Sequence, residues 1–189
     1  LNIDEYKHEI NHISISPFGN KFVFVHRWYN KKNGVRNSRL LLYDLKTKKL
    51  KTLLNYGMVS HFSWVNELQI VGFFNHPSFG NNFYNVNIDT LEINIISRKL
   101  ISFGDGHPNI LNNKMVFDSY PNRKGVQSLY LFDLQLKELT KLGDFHHPIN
   151  FFGSSRCDLH PRFNYKGDKI FIDSVFSGKR SLYELKTYD

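Results

Sequence analysis

Short apolar runs alternate with polar turns along the whole chain, and four segments share one plan. A Gly that follows or precedes a polar residue between two such runs, as at Gly19 and Gly167, is typical of a hairpin turn. After each hairpin, an apolar strand ends in an acidic residue, and these acidic residues recur at intervals of 45, 44 and 51 residues. They are Asp44, Asp89, Asp133 and Glu184.

Each repeat predicts three or four short strands over about 45 residues, which is the blade period of a β-propeller. The blades are expected at about residues 10–55, 58–97, 105–142 and 157–189. The predicted fold is therefore all-β, with residues 1–189 forming a single β-propeller domain or part of a six- to eight-bladed one. The fourth blade stops after its third strand, so either residues 1–6 supply the missing strand or further blades lie outside this chain.

Composition excludes several other classes. The chain has no Ala and 15% aromatic residues, which argues against a helical bundle and against disorder. Its single cysteine, Cys157, excludes an internal disulfide framework and a cysteine-only zinc site. No apolar run approaches the ~20 residues of a membrane span, and there is no signal-peptide pattern. A soluble protein is expected, and its compartment, cytoplasmic or periplasmic, stays open.

The segment 16–24, Ser-Pro-Phe-Gly-Asn-Lys-Phe-Val-Phe, resembles the repeat signature of WD40-like propellers of the TolB type. That signature runs Ser-Pro-Asp-Gly-Lys, an apolar strand, a polar loop and a strand ending in Asp, and residues 164–185 resemble it again. The resemblance implies a β-propeller over almost the whole chain, but it is not specific for function. The His-Pro pairs at His107 and His160 are more distantly similar to oligogalacturonate lyases. Those propeller enzymes hold manganese on central histidines and cleave acidic pectin fragments by β-elimination.

In a propeller, the turns that precede the first strands and the loops between second and third strands share one face, here called the top face. A histidine precedes each predicted first strand, namely His12, His61, His107 and His160. Convergent histidines suit a divalent Mn, Fe or Zn ion, while a hydrogen bond to the backbone of the next blade is the other interpretation, which the repetition itself favours. Both interpretations stay open. The predicted metal ligands are His61, His107 and His160.

The predicted second-to-third-strand loops, at about 27–37, 74–82, 120–127 and 175–180, contain eight basic residues and no acidic one. Arginine binds a carboxylate or phosphate through two parallel hydrogen bonds, and flat aromatic rings stack on sugars. These loops therefore predict a surface that faces an anion. The predicted ligand-binding residues are Arg27, Trp28, His76, Arg123, Lys124 and Arg180.

The function predicted first is a binding module whose top face recognises an acidic saccharide or an acidic protein surface. The alternative is a lyase in which a divalent metal such as manganese lowers the pKa of a carbon acid beside a uronate carboxylate. Its predicted bases are Arg156, Arg162 and Lys179. Of the four blade turns, the segment 156–162 is the richest in reactive side chains, with two guanidiniums, a carboxylate, an imidazole and a thiol. The net charge of +8 and pI near 9.5 also suit nucleic acid, but no groove-reading helix or nucleic-acid motif accompanies them.

Two aspartates, Asp118 and Asp173, each end a predicted second strand and are followed by serine. They are expected to cap the following turns through hydrogen bonds of the Asx type, and the alternative is that they approach a ligand or metal ion on the top face.

Overall fold

A computed structural model of the chain describes residues 5–186. Within that range the chain forms fifteen strands in four antiparallel sheets, and in each sheet the strands follow one another in chain order. The predicted all-β class is confirmed. The chain divides after Ile101 into two compact units, called unit 1 and unit 2, and each contains two sheets.

Unit 1 contains the first and second sheets. The strands of the first sheet are β1 (Tyr6–Ile15), β2 (Lys21–Asn30), β3 (Arg36–Asp44) and β4 (Lys49–Leu54). The strands of the second sheet are β5 (Val59–Asn66), β6 (Gln69–His76), β7 (Gly80–Asn87) and β8 (Ile93–Ile95). Apolar side chains of both sheets form one core, whose fully buried members include Val23, Val25, Leu40, Ile70, Val86 and Ile88.

Unit 2 contains the third and fourth sheets. The strands of the third sheet are β9 (Asn109–Leu111), β10 (Lys114–Asp118), β11 (Val126–Asp133) and β12 (Leu139–His146). The strands of the fourth sheet are β13 (Arg162–Phe163), β14 (Lys169–Ser174) and β15 (Ser181–Lys186). A short 3-10 turn at Gly153–Ser155 lies in the connection between the two sheets.

The core of unit 2 explains why its strands form where they do. Along β14 buried and half-buried residues alternate, as the two-residue period of a strand requires, and Ile170 and Ile172 are fully buried. These two side chains pack with Val116, Leu129 and Leu159 from the third sheet and the connection. Burying each such side chain contributes roughly 1.5–3 kcal/mol, so this cluster holds the two sheets together.

The residues that end the third strands cap the hairpins that follow. Asp44 Oδ1 accepts a backbone N–H at 2.7 Å, and Asp133 Oδ1 accepts two, each at 2.8 Å. In the second sheet it is Asn87 Oδ1 that accepts the two corresponding N–H groups, at 2.9 and 3.0 Å. The prediction of Asp89 as the marker of this repeat is therefore wrong by two residues, because an amide oxygen caps the turn as well as a carboxylate does.

The fourth sheet departs from the predicted pattern as well. Asp44 lies opposite Lys21 in the first sheet, and the equivalent position in the fourth sheet is Lys186, opposite Lys169. Glu184 lies inside β15, where it forms an ion pair with Lys169 at 2.9 Å. The sheet has three strands in the described residues. Of the segment 1–6 that could have supplied a fourth, residues 1–4 lie outside the described range and Tyr6 pairs with Asn30 in the first sheet.

Among the helical turns that residues 5–186 contain, none has the length and apolar character needed to cross a membrane.

Candidate functional site

The centre of the candidate site is the carboxylate of Asp118, the last residue of β10, which is only 2% exposed. Its Oδ1 accepts the His107 backbone N–H at 2.7 Å and lies 2.9 Å from His107 Nδ1. Its Oδ2 accepts the backbone N–H of His160 at 3.1 Å. Asp118 thus joins the turns that precede β9 and β13. The prediction that it caps its own turn is wrong, since its oxygens are used by these two turns.

Two features of the backbone allow these contacts. A Cβ placed on Gly106 would lie 2.0 Å from the Asp118 carbonyl oxygen, so only glycine allows the chain to pass this close to β10. His160 has a positive φ of 41°, a left-handed conformation that is uncommon for residues with a side chain. Leu159, beside it, is fully buried in the core and anchors the turn. The turn is therefore held in an unusual conformation by packing.

The rings of His107 and His160 lie 4.0 Å apart, centroid to centroid. One nitrogen of each ring and one oxygen of Asp158 lie within 4.8 Å of one another, and these three residues form a group that could hold a metal ion. Ligand atoms around an ion with bonds of ~2.0–2.2 Å lie roughly 3–4 Å apart, so small side-chain shifts suffice to close the group. Two imidazoles and a carboxylate suit Mn, Fe or Zn. In the following paragraphs these three residues are called the His–Asp cluster.

The electrostatic environment separates the two histidines. Burial alone lowers the pKa of His107, but the hydrogen bond and charge of Asp118 outweigh burial, and the net pKa is raised. Burial and the neighbouring charge of His107 lower the pKa of His160. When neutral, His107 donates its Nδ1–H to Asp118, which leaves the ring lone pair on Nε2. The carboxylate therefore selects the form of His107 that can bind a cation through Nε2.

Asp158 connects the His–Asp cluster to an arginine. Both Nε and Nη2 of Arg156 donate to Asp158 Oδ2, at 3.1 and 2.6 Å. The Arg156 guanidinium also lies 4.7 Å from the centre of the Tyr120 ring. Asp158 Oδ1 receives the Nε2–H of the buried Gln127 at 3.4 Å, whose own Oε1 has no hydrogen-bond partner among the described residues.

Arg156 also lines a cavity of about 650 Å³ beside the cluster, which is called here the basic pocket. Three of its lining side chains are cationic, two are imidazoles and two are phenyl rings, and none of the described lining residues is acidic. These seven residues are Arg123, Lys124, Arg156, His146, His147, Phe151 and Phe152. The pocket therefore offers positive charge together with flat apolar surface.

Backbone contacts shape the wall of the basic pocket. The His147 N–H donates to the Gly125 carbonyl oxygen at 2.7 Å, and His147 Nε2 accepts the Cys157 N–H at 3.4 Å. Arg180 Nη2 donates to two carbonyl oxygens of the connection, those of Ser155 and Arg156, at 3.1 and 2.8 Å. In this way the connection between the third and fourth sheets is fastened on both sides of Arg156.

The structure brings some of the predicted ligand-binding residues together. Arg123 and Lys124 both line the basic pocket, and Arg180 anchors the backbone of its wall. The other three, Arg27, Trp28 and His76, belong to unit 1. They were predicted in loops, but Arg27 and Trp28 lie within β2 and His76 is the last residue of β6.

The predicted metal ligands are likewise divided between unit 1 and unit 2. His107 and His160 belong to the His–Asp cluster, with Asp158 as the third member. His61 lies in unit 1, at an irregularity of β5, and its ring packs edge-on against that of His12 at 5.0 Å. His12 has a positive φ of 51° at the bulge of β1. Its position in the repeat thus corresponds to that of His160, which has the same left-handed backbone.

The three predicted bases occupy different environments. Burial lowers the pKa of Arg156, but the hydrogen bonds and charge of Asp158 outweigh burial and raise it, which is the opposite of what a base requires. Arg162 Nη1 donates to the His160 carbonyl oxygen at 3.0 Å and to Asp173 at 3.2 Å. Asp173 therefore pairs with an arginine instead of capping its turn. Lys179 lies in the exposed loop before β15.

Sequence reasoning missed Asp118 as a bridge, and His146, His147, Phe151 and Phe152 as pocket residues. The bridge has no local sequence signal, because its partners lie 11 and 42 residues away. A signal for the pocket was present. Second and fourth strands of a blade end on the same face, so the His-His-Pro at the end of β12, residues 146–148, is expected on the top face.

No protein-family profile and no curated protein sequence matches the chain. Solved structures do match. TolB from Acinetobacter baumannii superposes with a TM-score of 0.67 at 15% identity, over 94% of this chain and 41% of that one. An oligogalacturonate lyase in complex with manganese gives 0.56 at 13% identity, over 98% and 66%. The β-propeller domain of the trilobed protease from Pyrococcus furiosus gives 0.56 at 15% identity, over 95% and 56%.

The chain thus spans less than half of the TolB chain and about two thirds of the lyase chain. At these identities the matches bear on the fold and not on the activity. The four sheets, each an antiparallel meander in chain order, are propeller blades. The chain therefore has an all-β, β-propeller fold, similar to the propellers of TolB-type proteins and oligogalacturonate lyases.

Proposed function

We propose that this β-propeller is a binding module and that its basic pocket takes a small carboxylated saccharide. The observation that carries the proposal is the lining of the pocket, with three cationic side chains and two phenyl rings but no acidic residue among those described. Arginine and lysine bind carboxylates, and the phenyl rings provide flat surfaces for sugar rings. Phe152 is 75% exposed, so its face is accessible to a ligand.

The size of the pocket favours a small saccharide over an acidic protein surface. Ligand pockets for small molecules usually measure about 300–1,000 Å³, and the basic pocket, at about 650 Å³, falls within that range. A protein partner would instead need a surface of roughly 800 Å² on each side. An oligosaccharide of two or three uronate units matches both the volume and the charge.

The test is a calorimetric titration with trigalacturonate as the acidic probe and the neutral galactose trimer for comparison. We expect binding of the acidic trimer only, with an affinity that falls as salt rises, because exposed charges are screened. Charge reversal of Arg123 and Lys124 to Glu should weaken binding about tenfold or more, since hydrogen bonds to charged groups are worth about 1.5–3 kcal/mol each.

The matched control is Lys166→Glu, a charge reversal at an exposed residue of unit 2 that does not line the basic pocket. It should leave the affinity within about twofold of the wild type, because a distant surface charge acts only through a screened field. Equal binding of the two trimers, or equal losses in the pocket and control variants, would contradict the proposal.

A second candidate function is metal-dependent cleavage of acidic oligosaccharides, as an oligogalacturonate lyase would perform it. The specific observation in its favour is the His–Asp cluster, together with the similarity to a lyase that was solved in complex with manganese. The donor set fits a divalent cation, and the buried Gln127 Oε1 next to Asp158 is a further oxygen without a partner among the described residues. His107, Asp158 and His160 would hold the ion.

A divalent cation at this place would neutralise a uronate carboxylate and acidify the adjacent C–H bond. Asp118 would orient His107, and the turn anchored by Leu159 would hold His160. Arg156 pairs with Asp158 and Arg162 pairs with Asp173, so Lys179 is the remaining candidate for the base. Arg162 contacts the His160 carbonyl oxygen and would help to position the turn that carries this histidine.

This candidate is tested by manganese titration and by ultraviolet absorbance of the unsaturated product. We expect binding of one manganese ion, with loss of binding in His160→Ala and in Asp158→Asn. His61→Ala separates the sequence-based ligand set from the His–Asp cluster. The His61→Ala variant should bind manganese as the wild type does if Asp158 is the third ligand, and should lose manganese binding if His61 is the third ligand. Absence of metal binding, or binding without any product, would refute the lyase function.

A further inference from the structure

We infer that the basic pocket and the His–Asp cluster are coupled through the ion pair between Arg156 and Asp158, so that a cation in the cluster tightens the binding of an anion in the pocket. The inference rests on the proposed function, since it concerns the regulation of the same pocket. Arg156 lines the pocket and Asp158 belongs to the cluster, so one ion pair has a member in each site.

The ion pair competes with both ligands, because it occupies the guanidinium that an anion in the pocket would bind and the carboxylate that a cation in the cluster would bind. Both hydrogen bonds from Arg156 go to a single carboxylate oxygen, Asp158 Oδ2. The Asp158 side chain is 8% exposed and, within residues 5–186, has Gln127 as its one other side-chain hydrogen-bond partner, whereas the Arg156 side chain is 46% exposed. One of the three positive charges that line the pocket, that of Arg156, is therefore neutralised by a buried carboxylate.

A cation in the cluster changes this balance. As soon as Asp158 shares its negative charge with a metal ion, it attracts Arg156 less, and the guanidinium can bind a carboxylate in the pocket. In the reverse direction, an anion that draws Arg156 away leaves Asp158 as a stronger metal ligand. Thermodynamic linkage requires the two effects to be equal in size. The stacking of Arg156 on Tyr120 keeps the guanidinium near both partners during the exchange.

The experiment measures four dissociation constants by calorimetry, for trigalacturonate with and without saturating Mn²⁺ and for Mn²⁺ with and without saturating trigalacturonate. We expect each ligand to lower the dissociation constant of the other by the same factor, about fivefold or more, which is the lower end of typical couplings. None of the four measurements depends on catalytic turnover, because the heat of binding is the quantity measured.

Two arginine variants form the matched pair. Arg156→Met and Arg123→Met both remove a cation from the basic pocket, but only Arg156 contacts Asp158. Both variants should bind trigalacturonate more weakly, while the coupling factor falls to about one in Arg156→Met alone. Direct complexation of Mn²⁺ by the saccharide would leave the factor unchanged in both. Arg156→Lys keeps the charge without the planar fork and should give an intermediate factor, which guards against a folding defect in the Met variant.

The possible results separate the inference from the proposed function. Independent binding of both ligands to the wild type would overturn the coupling and leave the saccharide pocket intact. A coupling factor that survives in Arg156→Met would overturn the route through this ion pair. Failure of Mn²⁺ to bind would overturn the coupling and the second candidate function but not the saccharide pocket, whereas failure of trigalacturonate to bind would overturn the proposed function and the coupling together.

Discussion

The carboxylate of Asp118 accepts the backbone N–H of His160 across 42 residues of sequence, at 3.1 Å, and so fastens the first turn of the fourth blade to the second strand of the third. Because the same carboxylate also accepts two donors of His107, three buried or half-buried N–H groups depend on it. The close approach of His107 and His160 thus depends on the Asp118 carboxylate, which holds the backbone of both residues.

Asp118→Ala should therefore lower the free energy of unfolding by about 3–5 kcal/mol, because it leaves buried donors without an acceptor. The measurement is urea denaturation followed by circular dichroism, since both tryptophans, Trp28 and Trp64, lie in unit 1 and would not report on unit 2. Asp173→Ala is the matched control, since Asp173 also lies near the end of a second strand but its side chain is 37% exposed and pairs with Arg162. Its cost should stay below about 1 kcal/mol. Equal losses of unfolding free energy in the two variants would mean that the buried Asp118 contributes no more than a partly exposed ion pair.

The two histidines should titrate in opposite directions from the ordinary pKa of 6.5. NMR of the ring Hε1 protons is expected to show His107 titrating above that value and His160 below it. In Asp118→Asn the pKa of His107 should fall, since the hydrogen bond and charge of Asp118 are the largest effects that oppose burial. A His107 pKa that does not change in this variant would contradict the assigned cause.

The same shifts determine how stability depends on pH. Since the folded pKa of His107 is raised, its contribution is complete below pH 6.5 and is lost as the pH rises through the folded value. His160 acts in the opposite sense, because its folded pKa is lowered and its contribution is lost as the pH falls below 6.5. His107→Gln should flatten the alkaline side of the stability curve only, and His160→Gln the acidic side only. Thermal melts between pH 5 and 8 would measure both.

Leu159→Ala should lower the free energy of unfolding by about 2–5 kcal/mol, the usual cost of a Leu-to-Ala change in a core. Leu159 is fully buried between Asp158 and His160, so the variant should also weaken manganese binding although it removes no ligand. Leu182→Ala, at a side chain 58% exposed on β15, is the control and should cost less than about 0.5 kcal/mol. Unchanged metal binding in a folded Leu159→Ala protein would show that the turn holds His160 without this anchor.

Gly106→Ala tests the close approach of the chain to β10. The added methyl group would lie 2.0 Å from a backbone oxygen of Asp118, so the strand or the turn has to move, at a cost of about 1–3 kcal/mol. At Gly143 the nearest atom to an added Cβ lies 3.4 Å away, on a side chain that can adjust. Gly143→Ala should therefore melt within a few degrees of the wild type, and a larger loss there than at Gly106 would contradict this explanation.

The repeat period in the sequence was sufficient to predict the β-propeller fold. Strand, turn and strand are local consequences of alternating apolar residues and of turn-capping side chains, so they recur wherever the pattern recurs. The same locality explains the errors. Asn87 caps its turn in place of Asp89, and Lys186 takes the position of Asp44, because a repeat preserves geometry while its chemistry varies.

For the site, the sequence determined which residue types lie near the top of each blade, and it identified His107, His160, Arg123, Lys124 and Arg156 as candidates. Only the tertiary structure decided which of them meet. Asp118 reaches His160 because two sheets share a core, and Asp158 divides its oxygens between Arg156 and Gln127 because its backbone is held by Leu159. Contacts at 3.4 and 3.1 Å between residues 31 and 42 positions apart depend on packing, which no local pattern encodes.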